Sequence, residues 1–309
     1  MRRTWPAAAA AAFSLGLALA CGSSSSSPQD GSSSGTASSS GFGTSSSSSG
    51  GLIAQGCADG TTLVYVVSDA GDLYSFDPDS VAFTKKGAIN CPGETTATVN
   101  SMAVDRTGIA WVNYSDGALF RVSITNAACA ATAYVVGQGG FHRVGMAFAT
   151  DGAGSSVESL YVGGGDTVGA PSGGGLGLAK IDTTTLKLLT LGNYSSPLTG
   201  RSAELTGTGE GKLYGFFDTN PASLAEIAPT TAATTNTASL SNVNTGNAFA
   251  FSAWRGDFYF YTSQVGDRAS KVQRYKPSTK VTETVLANVG NFRIVGAGVS
   301  TCAPTSAPR

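Results

Sequence analysis

At 309 residues the chain has room for one or two domains, and its 41 Gly, 13% charged residues and formal net charge of -1 set it apart from nucleic-acid binders. No basic field is present to attract phosphate. The 41% apolar content suffices for a core once a low-complexity front is set aside, so one folded body is the economical reading.

The front of the chain reads as a secretory signal. Arg2 and Arg3 supply a positive n-region, and an uncharged apolar run covers residues 7–20. Crossing a bilayer takes about 20 apolar residues, so this run is an h-region and not a transmembrane helix. The arginine pair lacks the residues that follow it in a twin-arginine signal. The segment Leu17-Ala18-Leu19-Ala20-Cys21 resembles the lipobox of bacterial lipoproteins, in which the cysteine is diacylated, the signal is cleaved and the new N-terminus is acylated. It departs from the favoured pattern at Ala18, where an aliphatic residue is usual, with Leu17 and Leu19 on either side. The resemblance implies a signal peptide over residues 1–20 and lipidation, palmitate included, at Cys21. The alternative is an ordinary secretory signal with a cysteine beside its cleavage site.

Residues 21–51 then form the lipidated cysteine and a linker of serine and glycine whose only charge is Asp30. Such a composition cannot bury enough apolar surface to order itself. As a flexible coil it reaches about 30 Å, a tether holding the folded body clear of a membrane. Two or three acyl chains give stable anchorage where one is marginal. By resemblance to sorted lipoproteins, Gly22 in place of Asp after the cysteine implies release to the outer membrane.

From residue 52 to residue 309 the composition is that of a folded β protein. Residues 101–123, SMAVDRTGIAWVNYSDGALFRVS, read as three short strands over 102–104, 109–114 and 119–124, separated by the turns DRTG and SDG. The middle strand carries an aromatic residue. It recurs as Tyr65, Trp111, Tyr161, Tyr214 and Tyr259 at intervals of about 45 to 53 residues, the length of a four-stranded propeller blade. The next strand puts Leu73, Leu119, Leu178, Leu224 and Val272 in one column and Phe76, Val122, Ile181, Ile227 and Tyr275 in another. The columns are three positions apart and so face opposite sides of a strand, as a blade packed between two neighbours requires.

A strand also precedes the aromatic one, over residues 102–105, 146–149, 203–206 and 249–252. The blade of Tyr65 lacks it, and residues 296–301 at the far end are left over to supply it. The expected fold is therefore all-β, a five-bladed β-propeller closed by its C-terminal strand; a β-sandwich or an incomplete larger propeller is the alternative. With Cys21 set aside, Cys57, Cys91, Cys129 and Cys302 remain, an even number suited to an oxidising compartment. Of the possible pairings, ring closure would bring Cys57 and Cys302 to one hairpin end, leaving Cys91 for Cys129. A metal site among them lacks C-x-x-C spacing.

Chemistry is sparsely encoded. The single histidine, His142, lies in GQGGFHRVG just before a first strand and reads as a loop residue; no serine is singled out to form a triad with it. TGTGEGKL, residues 206–213, lacks the further glycine and the hydroxyl after Lys212 that a phosphate loop needs, and falls where a hairpin turn is required. GSSSG at residues 31–35 matches G-x-S-x-G but lies in the linker, not between a strand and a helix. Asp69, Asp72, Asp77 and Asp79 are turn formers without calcium-loop spacing. Residues 163–177, GGGDTVGAPSGGGLG, read as a long exposed hairpin tip. No catalytic residue, metal or cofactor is expected. One constellation remains, with Arg143, Arg201 and Arg293, and His142 beside the first, in the loops that enter the first strands of three blades. In a propeller those loops surround the channel mouth, where guanidinium groups favour a carboxylate or phosphate ligand. The competing reading pairs each arginine with a nearby Asp or Glu.

The opening segment GCADGTTLVYVVSDAGDLYSFDP, the strand pair of residues 101–123 and the short GQGGF before the third blade resemble a family of Gram-negative β-propeller lipoproteins without assigned activity. The resemblance implies a lipid-anchored propeller of the cell envelope, in the outer membrane, and carries over no catalytic residue. The expected role is a non-catalytic binding or scaffolding module whose partners are the membrane, through the anchor, and an envelope protein or glycan, with no nucleic acid. The rival is a hydrolase or lyase with its site at the channel mouth.

Overall fold

The computed structural model describes residues 56–93, 96–165 and 175–307. The expected signal peptide, Cys21, the expected linker with its GSSSG, and residues 166–174 of the expected hairpin tip lie outside the described residues. Blade I holds β1 (Val64–Ser68), β2 (Asp72–Asp77) and β3 (Ala82–Ala88), and blade II holds β4 (Val99–Val104), β5 (Ile109–Tyr114), β6 (Leu119–Ser123) and β7 (Cys129–Ala131). Blade III is β8 (Val144–Thr150), β9 (Glu158–Gly164), β10 (Leu178–Ile181) and β11 (Leu188–Gly192). Blade IV is β12 (Ala203–Gly207), β13 (Leu213–Phe217), β14 (Ala222–Ile227) and β15 (Thr234–Leu240), and blade V is β16 (Ala248–Trp254), β17 (Asp257–Ser263), β18 (Lys271–Lys276) and β19 (Val281–Leu286). The last strand, β20 (Ile294–Val299), returns to pair with β1, so every sheet has four antiparallel strands and the ring is a five-bladed β-propeller. No helix among the described residues is long and apolar enough to cross a membrane.

The two apolar columns explain why blades stack. Leu73 packs into the cluster shared with blade II, while Phe76 packs with Tyr259 and Tyr261 of blade V. The same division holds in each blade, with Leu119, Leu178, Leu224 and Val272 facing one neighbour and Val122, Ile181, Ile227 and Tyr275 the other. Fully burying each such side chain stabilises by about 1.5 to 3 kcal/mol relative to exposure. The aromatic column is also in register: Tyr65, Trp111, Tyr161, Tyr214 and Tyr259 stand opposite Ser75, Arg121, Lys180, Glu226 and Arg274.

Inner strands pack in the ring order β20, β4, β8, β12, β16 and back to β20. Small residues permit this. A Cβ on Gly145 would lie 2.1 Å from the Ala203 carbonyl oxygen, and one on Gly207 would lie 2.2 Å from that of Phe148. These paired approaches show β8 and β12 running in the same direction. Gly296 over Ser101 and Gly298 over Ala103 show the same for β20 and β4.

Closure follows the expected scheme, with β20 displaced two residues toward the N-terminus of the segment expected from sequence. Its register runs from Val64 opposite Val299 to Ser68 opposite Ile294. Cys57 and Cys302 form a disulfide with a Cα–Cα distance of 6.0 Å at the end where the closing strand stops. A second disulfide, Cys91 to Cys129 with Cα atoms 5.0 Å apart, joins the segment after β3 to β7 and so ties the rims of blades I and II.

Candidate functional site

Because the inner strands run the same way, Arg143, Arg201 and Arg293 all lie at one end of the ring, immediately before or near the starts of β8, β12 and β20. Their surroundings differ. Arg293 is held: its Nε donates to Asp69 Oδ2 at 2.8 Å, its backbone N–H to Asp69 Oδ1 at 3.2 Å, and its carbonyl accepts from the Asp69 N–H. The exposed Arg143 donates from Nε to Asn100 Oδ1 at 3.3 Å, a neutral partner. Asn100 is itself fixed by donating to Asn113 Oδ1 and to the Val144 carbonyl. Arg201, also exposed, has no hydrogen bond or ion pair from its guanidinium among the described residues. It borders a recess of about 310 Å³ shared with Asp218, Thr219, Asn220, Asn244 and Thr245. Asp218 is engaged there by the Thr245 hydroxyl at 2.5 Å.

His142 contributes through its backbone: its carbonyl accepts from Asn113 Nδ2 at 3.1 Å, and its half-buried ring packs against Gly117 and Gly137. The four aspartates of the first hairpin are separately employed. Asp69 holds Arg293, Asp72 pairs with Lys85, Asp77 accepts from the Asp79 N–H and Ser80 hydroxyl, and Asp79 pairs with Arg255. In TGTGEGKL the Thr208 hydroxyl accepts from the N–H groups of Glu210 and Lys212, which makes the turn between β12 and β13.

Two features that sequence reading missed lie deeper. Ser101 Oγ donates to Glu204 Oε2 at 2.8 Å. Ser101 is on β4 and Glu204 on β12, inner strands separated by β8, so the bond crosses the central channel. Glu204 is only 7% exposed. Burial pushes its carboxyl up to about 8, opposed by the Ser101 hydrogen bond, so the group is largely protonated at neutral pH. Toward the other end Glu158 accepts from the Arg106 N–H at 2.9 Å and from the Thr301 hydroxyl at 2.6 Å. Burial raises this carboxyl too, against both hydrogen bonds.

The second missed feature is a cavity of about 780 Å³ between blades IV and V. It opens at the end opposite the arginines, among the turns after β12, β16 and β18 and the C-terminal segment. Its floor is aromatic. Tyr214 meets Phe258 edge to face with centroids 4.8 Å apart, and Tyr275 and Trp254 complete the lining.

Fold and disulfides define the class: a disulfide-bonded five-bladed β-propeller that matures outside the reducing cytoplasm. No protein-family model and no curated protein matches the chain. Among solved structures it is similar to a protein of unknown function from Bacteroides caccae, with 14% identity and a TM-score of 0.40 over 73% of each chain. It is also similar to the extracellular domain of a hybrid two-component system from B. thetaiotaomicron, at 15% identity and TM-score 0.40, over 76% of this chain and 29% of that one. A third is dihydro-heme d1 dehydrogenase NirN, at 12% identity and TM-score 0.34, over 74% of this chain and 45% of that one. Likenesses at this level carry no argument about ligand or activity.

Proposed function

We propose that this chain is a lipid-anchored protein of the cell envelope, attached to the outer membrane through Cys21 and its serine-glycine tether, whose propeller is a non-catalytic binding or scaffolding module. Its partner is an envelope protein or glycan carrying carboxylate or phosphate groups, engaged at the arginine end of the ring. The supporting observation is the guanidinium of Arg201, exposed, without an ion-pair partner among the described residues, and bordering the recess of about 310 Å³. Guanidinium recognises such groups in a bidentate manner. Asn220, Asn244 and Thr219 supply further hydrogen-bonding groups, although the Asp218 carboxylate, engaged by Thr245, also lines the recess. Arg143 brings a second positive charge whose bonded partner is a neutral amide, so that Arg143, Arg201 and Arg293 outnumber Asp69 and Asp218. Arg293 adds little, because Asp69 compensates it.

The test uses the full-length protein in its own membrane. Labelled palmitate enters the parent and not Cys21→Ser, and label in that variant would refute the anchor. Cross-linking in intact envelopes captures a partner with the parent and with Arg293→Ala, and loses it in the Arg143→Ala/Arg201→Ala double variant. Equal capture by parent and double variant would refute the arginine end.

A further inference from the structure

We infer that the cavity between blades IV and V is a second binding site, for a short neutral oligosaccharide, built by opening a position that the other blades keep covered. Comparison of the repeats carries the inference. The aromatic column is buried at Tyr65, Trp111, Tyr161 and Tyr259, which are 2%, 3%, 6% and 2% exposed. Tyr214, the same position in blade IV, is partly exposed and lines the cavity.

The cross-strand partner differs as well. In blade II, Arg121 lies over the Trp111 ring at 5.5 Å, in blade V, Arg274 hydrogen-bonds to the Tyr259 side chain, and in blade I, where the partner is the neutral Ser75, Tyr65 is closed by the cluster shared with blade II. Blade IV has Glu226 at this register position, and Glu226 is engaged sideways by Asn236 Nδ2 at 3.0 Å. A carboxylate cannot stack on the negative face of an aromatic ring as guanidinium does. The guanidinium cover of blade II is absent from blade IV, and Tyr214 is partly exposed.

What fits the space follows from its lining. A volume of about 780 Å³ is that of a small-molecule site, with an aromatic floor and a few polar groups around it. Phe258 of the floor packs on Phe251, which with Phe216 and Phe260 forms a continuous cluster of rings behind it. The charges of the lining balance, with Glu210 and Glu226 matched in number by Lys212 and Lys280. A cavity without net charge does not select an ion. Carboxylates that accept from hydroxyls, ammonium and amide groups that donate, and ring faces that take the C–H side of a pyranose together select a neutral polyhydroxylated ligand. Burial, then Glu226 and Glu210, push the Tyr214 hydroxyl up to about 12, which keeps it protonated and able to donate at every physiological pH.

The test presents short cello-, malto-, manno- and chito-oligosaccharides to the full-length protein in a zwitterionic detergent, which brings no sugar headgroup, with heparin fragments as the charged arm. At least one neutral series binds by calorimetry. Tyr214→Ala weakens that binding by about tenfold, the loss of one stacking platform. Glu226→Arg, which supplies the guanidinium cover seen in blade II, abolishes it while the fold keeps its thermal transition. Arg143→Ala/Arg201→Ala leaves it unchanged. Binding of heparin fragments alone, binding of no oligosaccharide, or neutral binding that survives both Tyr214→Ala and Glu226→Arg would overturn the inference.

Discussion

Glu204→Gln isolates what the titration of the buried cross-channel carboxyl does to stability. The unfolded carboxyl titrates near 4.5, whereas in the folded ring burial holds it up at about 8. Between those values the native state carries a proton that the unfolded state has lost, so stability falls as pH rises through this window and levels off above it. At about 1.4 kcal/mol per pH unit the full loss is about 5 kcal/mol, of which about two thirds has accrued by pH 7. Glutamine keeps the shape, accepts from Ser101 Oγ through its amide oxygen, and does not titrate. Variant and parent are therefore expected to match near pH 4.5 and diverge as pH rises, the variant becoming the more stable. For a chain of this size 1 kcal/mol moves Tm by about 2 to 4 °C, so the gap at pH 9 is about 10 to 20 °C. Thermal denaturation of both proteins from pH 4.5 to 9, with disulfides intact, measures it. Glu158, also raised by burial, is common to both proteins and cancels in the difference. A gap that stays flat with pH, or a variant that is the less stable at pH 9, would show that Glu204 is ionised in the folded ring and refute the reasoning.

The disulfides are ranked by the chain each one encloses. With separations of 245 and 38 residues, loop entropy assigns about 5.5 kcal/mol to Cys57–Cys302 and about 4 kcal/mol to Cys91–Cys129. Urea unfolding of the two paired Cys→Ser variants is expected to preserve that order, and the reverse order would contradict it. Tight packing of the inner strands gives a separate expectation. Gly145→Ala would place its methyl 2.1 Å from the Ala203 carbonyl, so it costs about 3 kcal/mol or more, as overpacking does. Gly152→Ala, with nothing within 4 Å, stays within about 0.5 kcal/mol of the parent. Equal midpoints for these two variants in the same urea series would contradict the close approach of β8 and β12.

What could be read from sequence was whatever recurs locally. Columns three apart, Leu73 with Phe76 through Val272 with Tyr275, identified blades because their two faces meet different neighbours. A missing first strand and a surplus last one identified closure, and closure chose the cysteine pairs. The outermost strands were silent. Residues of β3 and β15 are largely exposed or half-buried, so no apolar periodicity marks them. The start of β4 at Val99 was missed because Asn100 and Ser101 interrupt its apolar run; both are polar for channel and rim contacts that exist only once the ring has formed. The candidate sites divide in the same way. Arg293 could not be told from Arg201 in sequence, since its partner Asp69 is 224 residues away.

Glu226 is the exception, a non-local feature that did leave a local mark. Lined up against the aromatic column, the facing residues are Ser75, Arg121, Lys180, Glu226 and Arg274, and one acid stands in a series otherwise cationic or neutral. A ring of repeats supplies its own controls in this way. Each position is sampled five times in one chain under nearly the same packing, so a departure at one blade is readable against the other four without any second sequence. Where the departure replaces the guanidinium that covers the ring in blade II, and a cavity stands over the corresponding ring in blade IV, the repeat pattern and the structure point to the same place. Arg143 and Arg201 lack that double mark: the structure leaves both without ion-pair partners among the described residues, but no repeat column sets their loops apart from those of blades I, II and V. The blade IV groove therefore rests on two observations and the arginine end on one, and mutating each separately shows whether the propeller works from one end of its ring or from both.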